Sequence, residues 1–197
     1  MFTGIIEAIG EVTDVFNKQS NRIFYIRSPL APQLKIDESL SHNGVCLTIE
    51  EIKSDIYKVT AIEETLKKTN LGQWEKGSFI NLERSMKIND RLDGHIVQGH
   101  VDGKGVCIDK VDKQGSVEFT FEYNEKFAAL IIEKGSVCIN GVSLTAFAVA
   151  KGNFTVAIIP YTMSHTNFNA LNVGEFVNLE FDVLGKYVAR MVSLNKL

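Results

Sequence analysis

The chain has 197 residues, enough for one or two domains, and its 45% hydrophobic and 23% charged residues can bury an ordinary core. Its net charge of −3, with no Lys/Arg stripe, excludes the basic footprint of a nucleic-acid partner. No apolar run approaches the roughly 18 residues of a membrane span, and residues 1–10 lack the basic flank and apolar stretch of a signal peptide. A soluble, cytoplasmic protein is expected.

In chain order, short segments rich in β-branched and aromatic residues predict strands at 23–26, 56–62, 79–82, 117–121, 153–159 and 176–181. Turns at Asn43-Gly44, Lys76-Gly77, Lys134-Gly135 and Asn140-Gly141 separate them. Short helical segments are expected after Thr65 and after Glu125. Leu184, Tyr187, Val188, Met191 and Val192 recur at helical spacing, an apolar face to be covered either by a partner subunit or by the chain's own barrels. Three cysteines, Cys46, Cys107 and Cys138, are odd in number and widely spaced, which indicates neither a disulfide framework nor a zinc site.

The chain is also written twice. Asn43-Gly44-Val45-Cys46-Leu47-Thr48 returns 97 residues later as Asn140-Gly141-Val142-Ser143-Leu144-Thr145. The same shift carries Thr65 onto Thr162, Thr69-Asn70 onto Thr166-Asn167, and residues 77–83 onto 174–180. Earlier in each half the shift is 95, so that Gly4 falls on Gly99, Gly10 on Gly105 and Phe24 on Phe119. Many short strands in each half suggest a small closed barrel, which removes exposed sheet edges.

Met1-Phe2-Thr3-Gly4-Ile5-Ile6-Glu7, the paired Asn-Gly-Val-x-Leu-Thr segments, Thr69-Asn70-Leu71-Gly72, Asn81-Leu82-Glu83-Arg84 and residues 93–102 together resemble the riboflavin synthase family of tandem lumazine-binding domains. The resemblance runs from Met1 to about Met191. It implies an all-β fold of two tandem closed six-stranded antiparallel β-barrels, 1–96 and 97–182, followed by a trimerisation helix, 183–197. It implies a transferase that moves a four-carbon unit between two molecules of 6,7-dimethyl-8-ribityllumazine, giving riboflavin and 5-amino-6-(ribitylamino)uracil. No metal or organic cofactor is implied. The expected assembly is a homotrimer with active sites between subunits, and association with lumazine synthase is allowed. A non-catalytic lumazine- or flavin-binding antenna of the same fold is the rival; such a relative would have decayed in one ligand segment, whereas both are intact here.

By the family's pattern Cys46, Leu47 and Thr48 contact ligand in the first barrel, and Ser143, Leu144 and Thr145 in the second. Gly4, Ile5 and Ile6, with their repeat partners Gly99, His100 and Val101, form a further wall. A third comes from Thr60, Ala61, Ile62, Glu63, Glu64 and Thr65, and from Ala157, Ile158, Ile159, Pro160, Tyr161 and Thr162. Phe2, Lys134 and Asp182 are also expected at the ligand, Asp182 as an acceptor for the ribityl chain. Ser39, Cys46, His100 and Ser143 are the catalytic candidates, with His100 as proton shuttle because imidazole titrates near neutral pH. His95 reads as a satisfied structural group, His42 as an exposed residue, and nothing favours His165. The chemistry requires a C7 methyl proton to leave one electron-poor lumazine and a nucleophile to add at C7 of the other. The protein's main contribution would be to pair the two molecules face to face. Two departures touch turns and no ligand segment: Asp37-Glu38 stand where the family has glycine and an acidic residue before Ser39, and Asp93 replaces one glycine of the family's Gly-Gly-His.

Overall fold

The computed structural model describes residues 1–194. Its first half carries seven strands: β1 (Ala8–Lys18), β2 (Asn21–Arg27), β3 (Ser39–His42), β4 (Val45–Thr48), β5 (Glu51–Lys53), β6 (Ile56–Ala61) and β7 (Phe79–Arg84). The second half carries six: β8 (Gly103–Asp112), β9 (Val117–Glu122), β10 (Ser136–Ile139), β11 (Val142–Phe147), β12 (Asn153–Ile158) and β13 (Phe176–Phe181). Helices α1 (Glu63–Lys68) and α2 (Pro160–His165) occupy equivalent places in the two halves, and α3 (Val183–Leu194) follows β13.

All neighbouring strands are antiparallel. The second sheet closes as β10-β11-β12-β9-β8-β13. The first runs β4-β3-β7-β1-β2-β6-β5 and its ladder stays open. Its two edge strands are consecutive in the chain, and between them the Glu50 N–H donates to Lys58 O at 2.9 Å. The wall is therefore completed by a strand broken at Ile49-Glu50, where β11 stays continuous. Of the two expected six-stranded barrels, the second is one closed ladder and the first is a seven-stranded sheet.

Alternation along the strands fills each interior. In β6, Tyr57, Val59 and Ala61 point inward; in β12, Phe154, Val156 and Ile158 do. Two separate cores result, each rich in large side chains that stabilise by about 1.5–3 kcal/mol apiece when fully buried. Matching bulges between Val12/Asp14 and Cys107/Asp109 bend β1 and β8 alike. The helix placed after Thr65 starts earlier, at Glu63, and the segment Glu125–Leu130 is 3-10 helix rather than α-helix. Asp37 takes φ +69 and its repeat partner Lys134 φ +62, so the turn keeps a glycine-like conformation without glycine.

The halves meet at their Asn-Gly turns. A Cβ on Gly44 would lie 2.8 Å from Gly141 N, and one on Gly141 would lie 2.8 Å from Gly44 N. Both glycines also have positive φ, so close approach and backbone conformation demand the same residue. Six asparagines knit this junction. Asn81 Nδ2 donates to Asn140 O and Asn178 Nδ2 to Asn43 O, at 2.8 and 2.9 Å. Asn70 N donates to Asn178 Oδ1 and Asn167 N to Asn81 Oδ1, both at 2.7 Å. Buried amides are costly unless paired, and here each half supplies partners to the other, with Asn70 Oδ1 the only one of these side-chain atoms left without one among the described residues.

Candidate functional site

Two segments cross between the halves, and they decide where the expected pocket walls lie. Residues before β1 leave their own barrel: Ser143 N donates to Gly4 O at 2.8 Å, and Ile6 packs against the second core. Residues before β8 do the reverse: Cys46 N donates to Gly99 O at 2.9 Å, and Val101 packs against the first core. Cys46 and Thr48 thus lie beside Gly99 and Val101, with Leu47 turned into the first core. Ser143 and Thr145 lie beside Gly4 and Ile6, with Leu144 packed against the second core. The sequence repeat alone did not reveal this exchange, because a shift of 95 relates the segments to each other and not to the strand each one meets.

Buried carboxylates hold the crossing segments. Glu83, at the end of β7, accepts from Thr3 N at 2.6 Å, Thr3 Oγ1 at 2.7 Å and Gly4 N at 3.0 Å. Glu180, its partner on β13, accepts from Gln98 N at 2.7 Å and from Gly99 N and His100 N at 2.9 Å each. Burial pushes both carboxyls above the usual range, opposed by these same hydrogen bonds.

Beside Ser143 the structure places His95 rather than His100. His95 Nδ1 and Ser143 Oγ are 2.7 Å apart, and His95 is buried while His100 is exposed. The approach is close enough that a Cβ on Gly94 would lie 2.0 Å from Thr3 O and 2.9 Å from Ser143 Cβ. Burial lowers the His95 pKa, with the charge of Asp182 pulling it the other way. The imidazole is then neutral near pH 7. In the tautomer protonated at Nε2 its Nδ1 accepts the Ser143 hydroxyl proton, the geometry of a general base. His95 lies in the connector between repeats and has no counterpart, so the duplication gave no signal for it. The dipeptide Gly94-His95 pressed against Ser143 is a tertiary fact.

The rims of the two faces differ at matching helical positions. Glu64 pairs with Lys68 at 2.8 Å on α1, whereas at the repeat positions on α2 Tyr161 stacks on His165 with centroids 4.0 Å apart. Ile62 and Ile159 are equivalent and both more than half exposed. Thr60 and Thr65 are partly buried and Ala61 buried; Glu63, Ala157 and Pro160 are exposed, Ile158 is buried and Thr162 is partly buried. Phe2 is wholly buried and joined to Val97 by an isolated bridge, in a small cluster with Cys138 and Cys46. Asp182 Oδ1 accepts from Leu184 N at 2.9 Å and so begins α3. Lys134 Nζ lies over the Phe147 ring, 5.1 Å from its centroid. Ser39 and Ile5 share a cleft of about 820 Å³ with residues of the connector. A groove of about 750 Å³ at the asparagine junction holds none of the expected ligand residues. His42, expected at the surface, is wholly buried and accepts from the Tyr57 hydroxyl.

These features define a duplicated-barrel protein with two related but unlike candidate sites. A lumazine binding domain model matches residues 3–85 and again 98–182. The chain is 37% identical over 193 residues to riboflavin synthase of Actinobacillus pleuropneumoniae, covering 98% of this chain and 90% of that one. It is 36% identical over 202 residues to riboflavin synthase of Brucella abortus, with both chains covered in full. Among solved structures, LumP complexed with riboflavin superimposes with a TM-score of 0.86 at 20% identity, covering 92% of this chain and 99% of that one. The chain belongs to the riboflavin synthase family, transferases built of tandem lumazine-binding domains.

Proposed function

We propose that the protein converts two molecules of 6,7-dimethyl-8-ribityllumazine into riboflavin and 5-amino-6-(ribitylamino)uracil by four-carbon transfer. The observation that carries this reading is the inequality of the two faces: Ser143 with His95 and Gly4 on one, Cys46 with Gly99 and no histidine hydrogen-bonded to it on the other. A dismutation needs two copies of one substrate in different surroundings. The barrels 1–96 and 97–182 each take one lumazine, with Lys134 and Asp182 available to the ribityl chain and Ser39, Cys46 and Ser143 to the ring. Ser143 and His95 move a proton, with His100 as a second carrier, and the paired faces supply effective concentration.

Many of the ligand residues are exposed in the single chain, among them Ile5, Thr48, His100, Ile159 and Tyr161. We therefore place the reaction between the first face of one subunit and the second face of another, in a homotrimer held through 183–197, of which residues 195–197 lie outside the described structure. LumP, whose solved structures hold riboflavin and 6,7-dimethyl-8-(1'-D-ribityl) lumazine, supports lumazine as the ligand and also keeps the antenna reading in play.

Mixing the protein with 6,7-dimethyl-8-ribityllumazine separates the two. Riboflavin formation with consumption of two lumazines supports the enzyme; tight binding without turnover supports the antenna. Co-expressing a Cys46/Thr48 double variant with a Ser143/Thr145 double variant tests the subunit arrangement. Mixed trimers regain sites with two undamaged faces, and activity no higher than the sum of the separate variants rejects the intersubunit site.

A further inference from the structure

We propose that Glu83 and Glu180 act crosswise as positioning residues, each carboxylate setting the pocket wall of the barrel to which it does not belong. This rests on the reading that Cys46 and Ser143 line lumazine pockets. Glu83 belongs to the first barrel, yet the peptide it fixes is Gly4. The Gly4 N–H donates to Glu83 Oε2 at 3.0 Å, and its carbonyl accepts from Ser143 N at 2.8 Å. Glu180 belongs to the second barrel, yet the peptide it fixes is Gly99. The Gly99 N–H donates to Glu180 Oε2 at 2.9 Å, and its carbonyl accepts from Cys46 N at 2.9 Å. In both cases one glycine peptide relays a carboxylate to the first residue of the opposite ligand segment.

A carboxylate suits this place for a definite reason. It accepts only, so three converging donors satisfy it without competition. Each of the two is nearly inaccessible, at 3% and 2% exposure. Such charges are costly to bury unless hydrogen-bonded throughout, and here the donors are the crossing segments themselves. A glutamine in the same position keeps one acceptor oxygen and turns an amino group toward the remaining N–H, so the wall loses its hold without loss of volume.

The test uses the full chain and 6,7-dimethyl-8-ribityllumazine as probe, titrated by fluorescence, in Glu83→Gln and Glu180→Gln, each alone and combined with the Cys46/Thr48 or the Ser143/Thr145 double variant. Losing hydrogen bonds to a charged group corresponds to about tenfold or more in affinity. Glu83→Gln should weaken the lumazine that survives in the Cys46/Thr48 background by that factor, and add nothing in the Ser143/Thr145 background. Glu180→Gln should show the mirror pattern. If Glu83→Gln instead weakens the pocket of its own barrel, or both pockets equally, the crosswise role is overturned. Thr3→Val removes one of the three donors to Glu83, together with the acceptor of Ile5 N, and should weaken the same pocket, which keeps the test alive if Glu83→Gln folds poorly. Amide hydrogen exchange reads the relay without ligand: Glu83→Gln should speed exchange at Gly4 and Ser143 and leave Gly99 and Cys46 unchanged. If the unaltered chain binds no lumazine while exchange keeps this pattern, the functional reading falls and the relay stands. Equal acceleration at all four amides rejects the relay.

Discussion

His42 gives the first barrel a pH-dependent stability that the residues at its repeat positions in the second barrel do not supply. Its ring is wholly buried, with Nδ1–H donating to Leu40 O and Nε2 accepting from the Tyr57 hydroxyl, both at 2.9 Å. Burial lowers its pKa from 6.5 to about 4, against backbone hydrogen bonds that pull it up. In the unfolded chain the ring takes its proton near 6.5; in the folded protein it does so only near 4. The unfolded state therefore binds more protons in that window, and stability that is complete above pH 6.5 is lost as pH falls toward 4. The full loss is about 3 kcal/mol at roughly 1.4 kcal/mol per unit, and about 2 kcal/mol of it falls between pH 7 and pH 5. At the repeat positions the second barrel carries Ile139 and Phe154, both buried and neither titratable. The double variant His42→Ile with Tyr57→Phe copies that arrangement into the first barrel. Urea unfolding followed by Trp74, the single tryptophan and part of the first core, measures both proteins at each pH. Between pH 7 and pH 5 the variant should gain about 2 kcal/mol relative to the unaltered chain. Glu83 and Glu180 titrate in both proteins and cancel in the difference. Equal losses in the two proteins, within about 0.5 kcal/mol, would refute the assignment.

Three further outcomes follow from the geometry. Gly77→Ala, at φ +90 with open space around it, should cost only the left-handed backbone penalty of about 1–2 kcal/mol, whereas Gly44→Ala must also displace Gly141 and should cost about 1–3 kcal/mol more, as thermal unfolding would show. Ser143→Ala and His95→Asn should each lower kcat by about 10²–10⁴-fold, with the double variant little worse than either single one; fully multiplicative losses in steady-state assays would deny that the pair acts as a unit. Truncation after Asp182 removes Leu184, Tyr187, Val188, Met191 and Val192, all more than half exposed in the single chain, and the ion pair of Lys186 with Asp102 at 2.7 Å; sedimentation should show weakened assembly, each large side chain contributing about 1.5–3 kcal/mol if it is buried between subunits.

The repeat was legible because each half must build the same barrel from the same alternation, so every strand expected from composition lies within an observed one or overlaps it closely. The open ladder of the first sheet was not legible, since it turns on Ile49-Glu50 failing to pair as β11 does. Histidine roles were the least legible. His42 and His95 are both buried through contacts with residues distant in sequence, Tyr57 in one case and Ser143 in the other. Composition and spacing say nothing about such partners. The asparagines were visible as repeat markers, but their service as a shared junction needed the two turns to be seen meeting.

Positions related by the repeat fall into two physical kinds. At the junction a residue meets its own image, as Gly44 meets Gly141, or exchanges equivalent hydrogen bonds with the other half, as Asn81 and Asn178 do. A change in one copy there damages a contact that serves both, so the copies stay alike. In the candidate ligand segments Leu47/Leu144, Thr48/Thr145 and Gly4/Gly99 are alike, but the copies differ at Cys46 against Ser143, Ile5 against His100 and Glu64 against Tyr161. His95 adds an inequality outside the repeat altogether, because it lies between the two copies, has no counterpart and meets Ser143. The crossing segments give this inequality its reach. Since the Gly4 and Gly99 segments each cross to the other barrel, a change at Gly4 or Ile6 is felt beside Ser143, whereas a change at Phe2 is felt beside Cys46. Under the proposed function, this symmetric frame with exchanged walls would keep two pockets similar enough to take one kind of molecule and let their chemistry diverge far enough to treat two copies of it differently.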